Sequence, residues 1–143
     1  MKIEITNRQK IKRVNLKTLS KSLEKAAGLL LIPSKTISLT LVDNAFIVNL
    51  NKRYLKKTTP TDVISFDLSD PLDPDYLGEI VVSVEEAVKV AKSLKVDWQK
   101  EVLLYCLHGI LHLIGYDDRS KKKRDLIEKK QKELMEKLWL KKT

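Results

Sequence analysis

One cysteine, Cys106, is all the chain has. A lone cysteine rules out an internal disulfide, and its place in an apolar stretch makes it a small buried hydrophobe. Histidine is almost as scarce: His108 and His112 are the two in 143 residues. Aromatics are 6% of the sequence, so few rings are on hand to stack nucleic-acid bases. No apolar run is long enough to span a bilayer. The start, Met1-Lys2-Ile3-Glu4, turns polar at once and offers no apolar signal region. These absences lead to the expectation of a soluble cytoplasmic protein with no membrane partner. The length fits one domain over residues 1–143, able to bury a core without staples.

Acidic residues are also short, 19 against 28 Lys and Arg, for a formal charge of +9. From Arg119 to Thr143 eleven basic residues face four acidic ones, a local +7 that leaves +2 for everything before. Such a balance suits a polyanion such as nucleic acid. A solvated helix face that keeps the protein in solution is the alternative.

Lys2 to Thr6 alternates as a first strand. Asn15 or Thr18 caps a helix with Leu16, Leu19, Leu23, Ala26, Ala27 and Leu30 on one face, which Pro33-Ser34 ends. Ile37 to Val42 is a second strand, and Asp43 or Asn44 opens a short helix with Phe46, Ile47, Leu50 and Tyr54 inward. After the polar loop Lys56–Asp62, Val63 to Phe66 and Leu77 to Ser83 form strands that pair antiparallel around an exposed turn at 67–75. Ser83-Val84-Glu85-Glu86 reads as a capping box for a helix with Val84, Ala87, Val88, Ala91 and Leu94 inward. A helix from Asp97-Trp98 is apolar all round from Val102 to Ile114, as a buried central helix should be. Asp118 or Ser120 then starts a basic helix with Leu126, Ile127, Leu134, Met135 and Leu138 toward the core. The expected fold is α+β: a small four-stranded sheet, mostly antiparallel or mixed, packed by about five helices.

The central helix carries the chemistry. His108 and His112 stand four apart, one turn and about 6 Å of rise from each other on one helix face. Gly115 offers a left-handed cap, and the chain can then return Asp118 toward the imidazoles. Two ligands on a helix, a glycine turn and a third ligand fit a catalytic site for one divalent ion, with water in the remaining position. The simpler reading is a structural histidine pair with Asp118 as a helix cap. Gly109 stands where zinc proteases carry a glutamate general base, which counts against peptide hydrolysis.

The run His108-Gly109-Ile110-Leu111-His112-Leu113-Ile114-Gly115-Tyr116-Asp117-Asp118 resembles the His-Gly-x-x-His-x-x-Gly-Tyr-Asp-His signature of the YbeY family. That family comprises metal-dependent, single-strand-specific endoribonucleases of bacterial rRNA maturation. Leu50-Asn51-Lys52-Arg53-Tyr54, Pro60-Thr61-Asp62-Val63-Ile64-Ser65-Phe66 and Leu77-Gly78-Glu79-Ile80 resemble its other blocks, in the right order. Two positions depart from it. Asp118 replaces the family's third histidine ligand, an oxygen donor that shifts preference toward ions such as manganese. Leu55 replaces an arginine of the metal cleft, a charge that Arg53 or Lys56 would have to restore.

The resemblance implies a central helix that carries the metal site as in the zincins, zinc or another divalent ion on His108, His112 and Asp118, and single-stranded RNA or rRNA as substrate. Ribosome or ribosomal-protein partners follow from the same likeness. A held metal would lower the pKa of bound water and offset phosphoryl charge, while the spacing assigns no general acid or base. Glu101, two turns before His108, is about 10 Å away by helix rise and too far to be a ligand. Asp62 and Ser65 either line the cleft or cap a turn and strand edge. Arg53, Lys56, Lys57, Arg119, Lys121 and Lys122, with Lys52, Lys123 and Arg124, would track a phosphate backbone. A non-catalytic RNA- or ribosome-binding module with a structural metal, and a small metalloprotease, are the alternatives.

Overall fold

A computed structural model of the chain describes residues 1–55, 63–68 and 71–139, without the side chains of Tyr54 and Leu55. Along it run β1 (Lys2–Asn7), α1 (Leu16–Leu29), β2 (Thr36–Val42), α2 (Asn44–Leu55), β3 (Val63–Asp67), β4 (Tyr76–Ser83), α3 (Val84–Leu94), α4 (Trp98–Leu113) and α5 (Lys121–Leu138). The strands form one mixed sheet in the order β1-β2-β4-β3, an α+β arrangement as expected. β3 and β4 pair antiparallel, with Ser65 opposite Ile80. The other two pairs, β1–β2 and β2–β4, are parallel, so the sheet is mixed, the second of the two forms expected. The connections explain this. α1 returns the chain to the starting end of the sheet before β2, whereas the direct link from β3 to β4 reverses it.

The helix starts follow the sequence closely. Asn15, Asp43, Ser83, Asp97 and Ser120 each accept a backbone N–H in the first turn of the helix they open, at 2.8–3.2 Å. Each such cap is worth about 1 kcal/mol. Glu86, expected to complete a capping box, instead accepts from Asn44 Nδ2 at 3.0 Å. It thereby ties the first turn of α3 to that of α2.

One sheet face, with Ile37, Leu39, Leu41, Ile80 and Val82, packs against α1, α3, α4 and α5. The other face, with Val42, Ile64 and Val81, receives α2 through Ile47. α4 is the central helix, with ten buried residues among its 16. Three side chains expected inward lie outward. Phe46 is 36% exposed, Leu94 61% and Leu126 53%. Phe46 sits under the Arg8 guanidinium, 5.4 Å from ring centroid to Cζ. Leu94 ends α3 just before the left-handed Lys95. Leu126 is one step of about 100° off the stripe held by Ile127.

α4 lies close on β4 because Gly109 lacks a side chain. A Cβ there would stand 2.5 Å from Ile80 Cγ2. At the start of β4, Gly78 has φ +153, and a Cβ would collide with the Phe66 carbonyl oxygen. Among the described residues no helix is long and apolar enough to cross a membrane.

Candidate metal centre

His108 and His112 project from the last two turns of α4, and their Nε2 atoms stand 2.9 Å apart. The rings meet edge to face, with centroids 4.5 Å apart and planes at 63°. α4 then closes in a Schellman motif: Gly115 N–H donates to the His112 carbonyl at 3.1 Å and Tyr116 N–H to the Leu111 carbonyl at 3.0 Å. Gly115 has φ +110, where a side chain would be strained. The turn brings Asp118 back, and the ligand atoms of His108, His112 and Asp118 lie within 4.8 Å of one another.

This group fits a divalent ion. Two imidazole nitrogens facing each other at 2.9 Å need a hydrogen or a cation between their lone pairs. Two nitrogens and one carboxylate oxygen are a donor set for zinc, and the oxygen also admits manganese. Both histidines are half-buried and Asp118 is exposed, so one side stays open.

Gln131 of α5 was missed from sequence, and it orients the first imidazole. Its amide stands 2.7 Å from His108 Nδ1. An imidazole that presents an Nε2 lone pair carries its hydrogen on Nδ1, and the Gln131 oxygen, after a half-turn of the amide, accepts it there. The signal was available. Ile127, Gln131, Leu134 and Met135 share one helix face, and the glutamine interrupts a stripe whose other members are buried.

Neighbouring elements hold the site in place. Ser65 Oγ, on β3, donates to the Gly109 carbonyl between the two histidines at 3.4 Å. The Asp118 carbonyl accepts from Arg124 at 3.2 Å. Asp117 accepts from the Arg119 N–H at 3.1 Å and pairs with Lys123 at 3.3 Å. That N–H and the Lys123 ammonium hold its carboxyl below the usual range. Glu101 is buried in the first half of α4, outside the group of three. Cys106 is fully buried, and desolvation pushes its thiol up to about 12.

Of the expected phosphate contacts, Arg119, Lys121 and Lys122 are exposed just beyond Asp118. Lys52 and Arg53 are exposed on α2, the helix that packs on the sheet face away from α4. Lys56, Lys57 and Asp62 lie outside the described residues, as does the Leu55 side chain.

The family described as Endoribonuclease YbeY matches residues 2–139. A relative of that name from Carboxydothermus hydrogenoformans is 38% identical over 104 residues, 73% of each chain. Another from Neorickettsia sennetsu is 34% identical over 98% of each chain. One from Syntrophus aciditrophicus is 35% identical, covering 94% of this chain and 88% of its own. In three dimensions the chain is similar to TM1509 from Thermotoga maritima, whose solution structure superposes with a TM-score of 0.71. The two are 30% identical, over 96% of this chain and 89% of that one. The match runs through every element from β1 to α5, and the histidine helix falls within it: this chain belongs to the endoribonuclease YbeY family.

Proposed function

We propose that residues 1–143 act as one metal-dependent hydrolase domain that cleaves single-stranded RNA in the cytoplasm, in the maturation of rRNA. His108, His112 and Asp118 are the protein ligands of one divalent ion, zinc by the imidazole pair. The observation that carries this reading is the convergence within 4.8 Å of two donors on the central helix and a third on the turn after it, in an endoribonuclease-family fold. Such an ion, when bound, supplies Lewis acidity toward a phosphodiester and a lowered pKa for water.

The chain's own residues do the rest. Gln131 holds His108 in the tautomer that leaves Nε2 free, and Ser65 braces α4 between the histidines. Arg124 and Lys123 fasten the turn that carries Asp118. Arg119, Lys121 and Lys122 stand in solvent beside it, placed to neutralise backbone phosphates without reading bases. Peptide hydrolysis is disfavoured by packing, because the position after His108 presses on Ile80 and has no room for a glutamate.

The test is elemental analysis of purified protein, H112A and D118A, with single-stranded RNA cleavage assayed on the same samples. Near-stoichiometric metal in the wild type, lost together with cleavage in both variants, is the expected result. Metal retained in D118A would reduce Asp118 to a turn residue. A wild type that takes up no metal after supplementation would overturn the enzymatic reading.

A further inference from the structure

From Ile5 to Leu23 the sequence has six basic residues, Arg8, Lys10, Lys12, Arg13, Lys17 and Lys21, and no acidic one. All six are exposed, and none is ion-paired among the described residues. Four of them sit on the loop between β1 and α1, and that loop has a built shape. Gln9 is 7% exposed and spends its whole amide on the loop. Its Nε2 donates to Asn7 Oδ1 at 3.0 Å and to the Lys12 carbonyl at 2.8 Å. Its Oε1 accepts from the Ile11 N–H at 2.8 Å and the Lys12 N–H at 3.1 Å. A buried side chain thus fixes a turn whose outward groups are cations, with Ile11 exposed between Lys10 and Lys12. Lys17 and Lys21 continue the charge along α1, four apart and so on one face.

This surface is remote from the metal group. β1 and β3 are opposite edges of the sheet. The loop leaves the C-terminal end of β1, where Arg8 N–H meets the Leu41 carbonyl. The end of α4 lies over the other end, where Leu113 approaches Gly78 on β4. Two strand spacings from β1 to β4, and the stretch of β4 from Val82 back to Gly78, separate the two places, about 16 Å along the sheet. Unpaired like charges held on an ordered loop repel one another and lower the stability of the free protein. A polyanion laid across them removes that repulsion and releases its counterions.

We propose that the Gln9-ordered loop and the adjoining face of α1 form a second contact for the RNA phosphate backbone, engaged by strands that extend beyond the metal centre. The proposal rests on RNA being the substrate, and it assigns these cations to binding rather than to chemistry.

The test compares wild type with R13Q/K17Q/K21Q and with a control of equal charge change, K89Q/K92Q/K100Q, whose lysines are exposed on α3 and α4. Binding of a long fluorescent single-stranded RNA is titrated in chelator at several salt concentrations. The face variant is expected to bind at least about tenfold more weakly at low salt, with the slope of log K against log salt reduced by about 2, as for three lost phosphate contacts. Its metal content and kcat at saturating RNA stay as in wild type, while KM rises. The control keeps the wild-type slope. Equal losses in face variant and control would overturn the proposal, as would unchanged binding in the face variant. So would loss of binding to phosphatidylserine vesicles with RNA binding intact, which would assign the face to anionic lipid. A wild type that neither binds nor cleaves RNA would overturn the substrate reading itself.

Discussion

Gln131 and Cys106 show how much a single side chain decides here. Replacing Gln131 by leucine removes the partner of His108 Nδ1 while continuing the apolar stripe of Ile127 and Leu134. Metal affinity is expected to fall about 10–100-fold with the thermal melt unchanged or raised, read by competition titration against a chromophoric chelator. Cys106 is expected to resist iodoacetamide in the native protein at pH 8 and to react once the chain is unfolded. With its thiol pushed up to about 12 and fully buried, almost no thiolate is present to attack. Rapid labelling under native conditions would mean that α4 opens readily. The two histidines were legible because helical spacing alone sets them side by side. Gln131 reaches His108 from 23 residues away, through the docking of α5 on α4, so the sequence offered only its odd place in an apolar stripe.

At the scale of the element, the close contact between α4 and β4 falls at Gly109, next to His108 and between the two histidines. Gly109→Ala is expected to cost about 1–3 kcal/mol in urea denaturation, because the new methyl meets Ile80 in a core position 1% exposed. Combining it with Ile80→Ala should cost less than the sum of the two single changes, since one methyl then fills the space of the other. Strict additivity would show that α4 had moved instead. Caps and helix stripes could be read from the sequence because both are local. Errors gathered at stripe ends and margins: Leu94 stands at the last residue of α3, and Leu126 beside rather than on the buried line of α5. The sheet order was harder. β2 pairs with β4 across an intervening helix and strand, a choice made by packing of the whole face and not by any turn signal.

For the molecule as a whole, the metal group joins α4 to the turn before α5, so an ion there should tie these two elements together. Saturating zinc at about 100 times its Kd is expected to add about 2.7 kcal/mol to folding stability, seen as a rise of several degrees in Tm that chelator reverses and that H112A lacks. A melt indifferent to both would argue against binding at this group in the folded state. Charge is also divided at this scale. Residues 1–35 and 119–143 carry +7 each, while residues 36–118 carry a net −5. α1 and α5, which pack on each other, therefore gather cations from both ends of the sequence on one side of the molecule. The reach of Gln131 has a further consequence for how the protein is made. During synthesis α4 emerges before α5, so for an interval the nascent chain displays both imidazoles without the amide that sets one of them. Tight metal binding is therefore expected only once the final helix has docked, with a half-made chain a poor scavenger of metal.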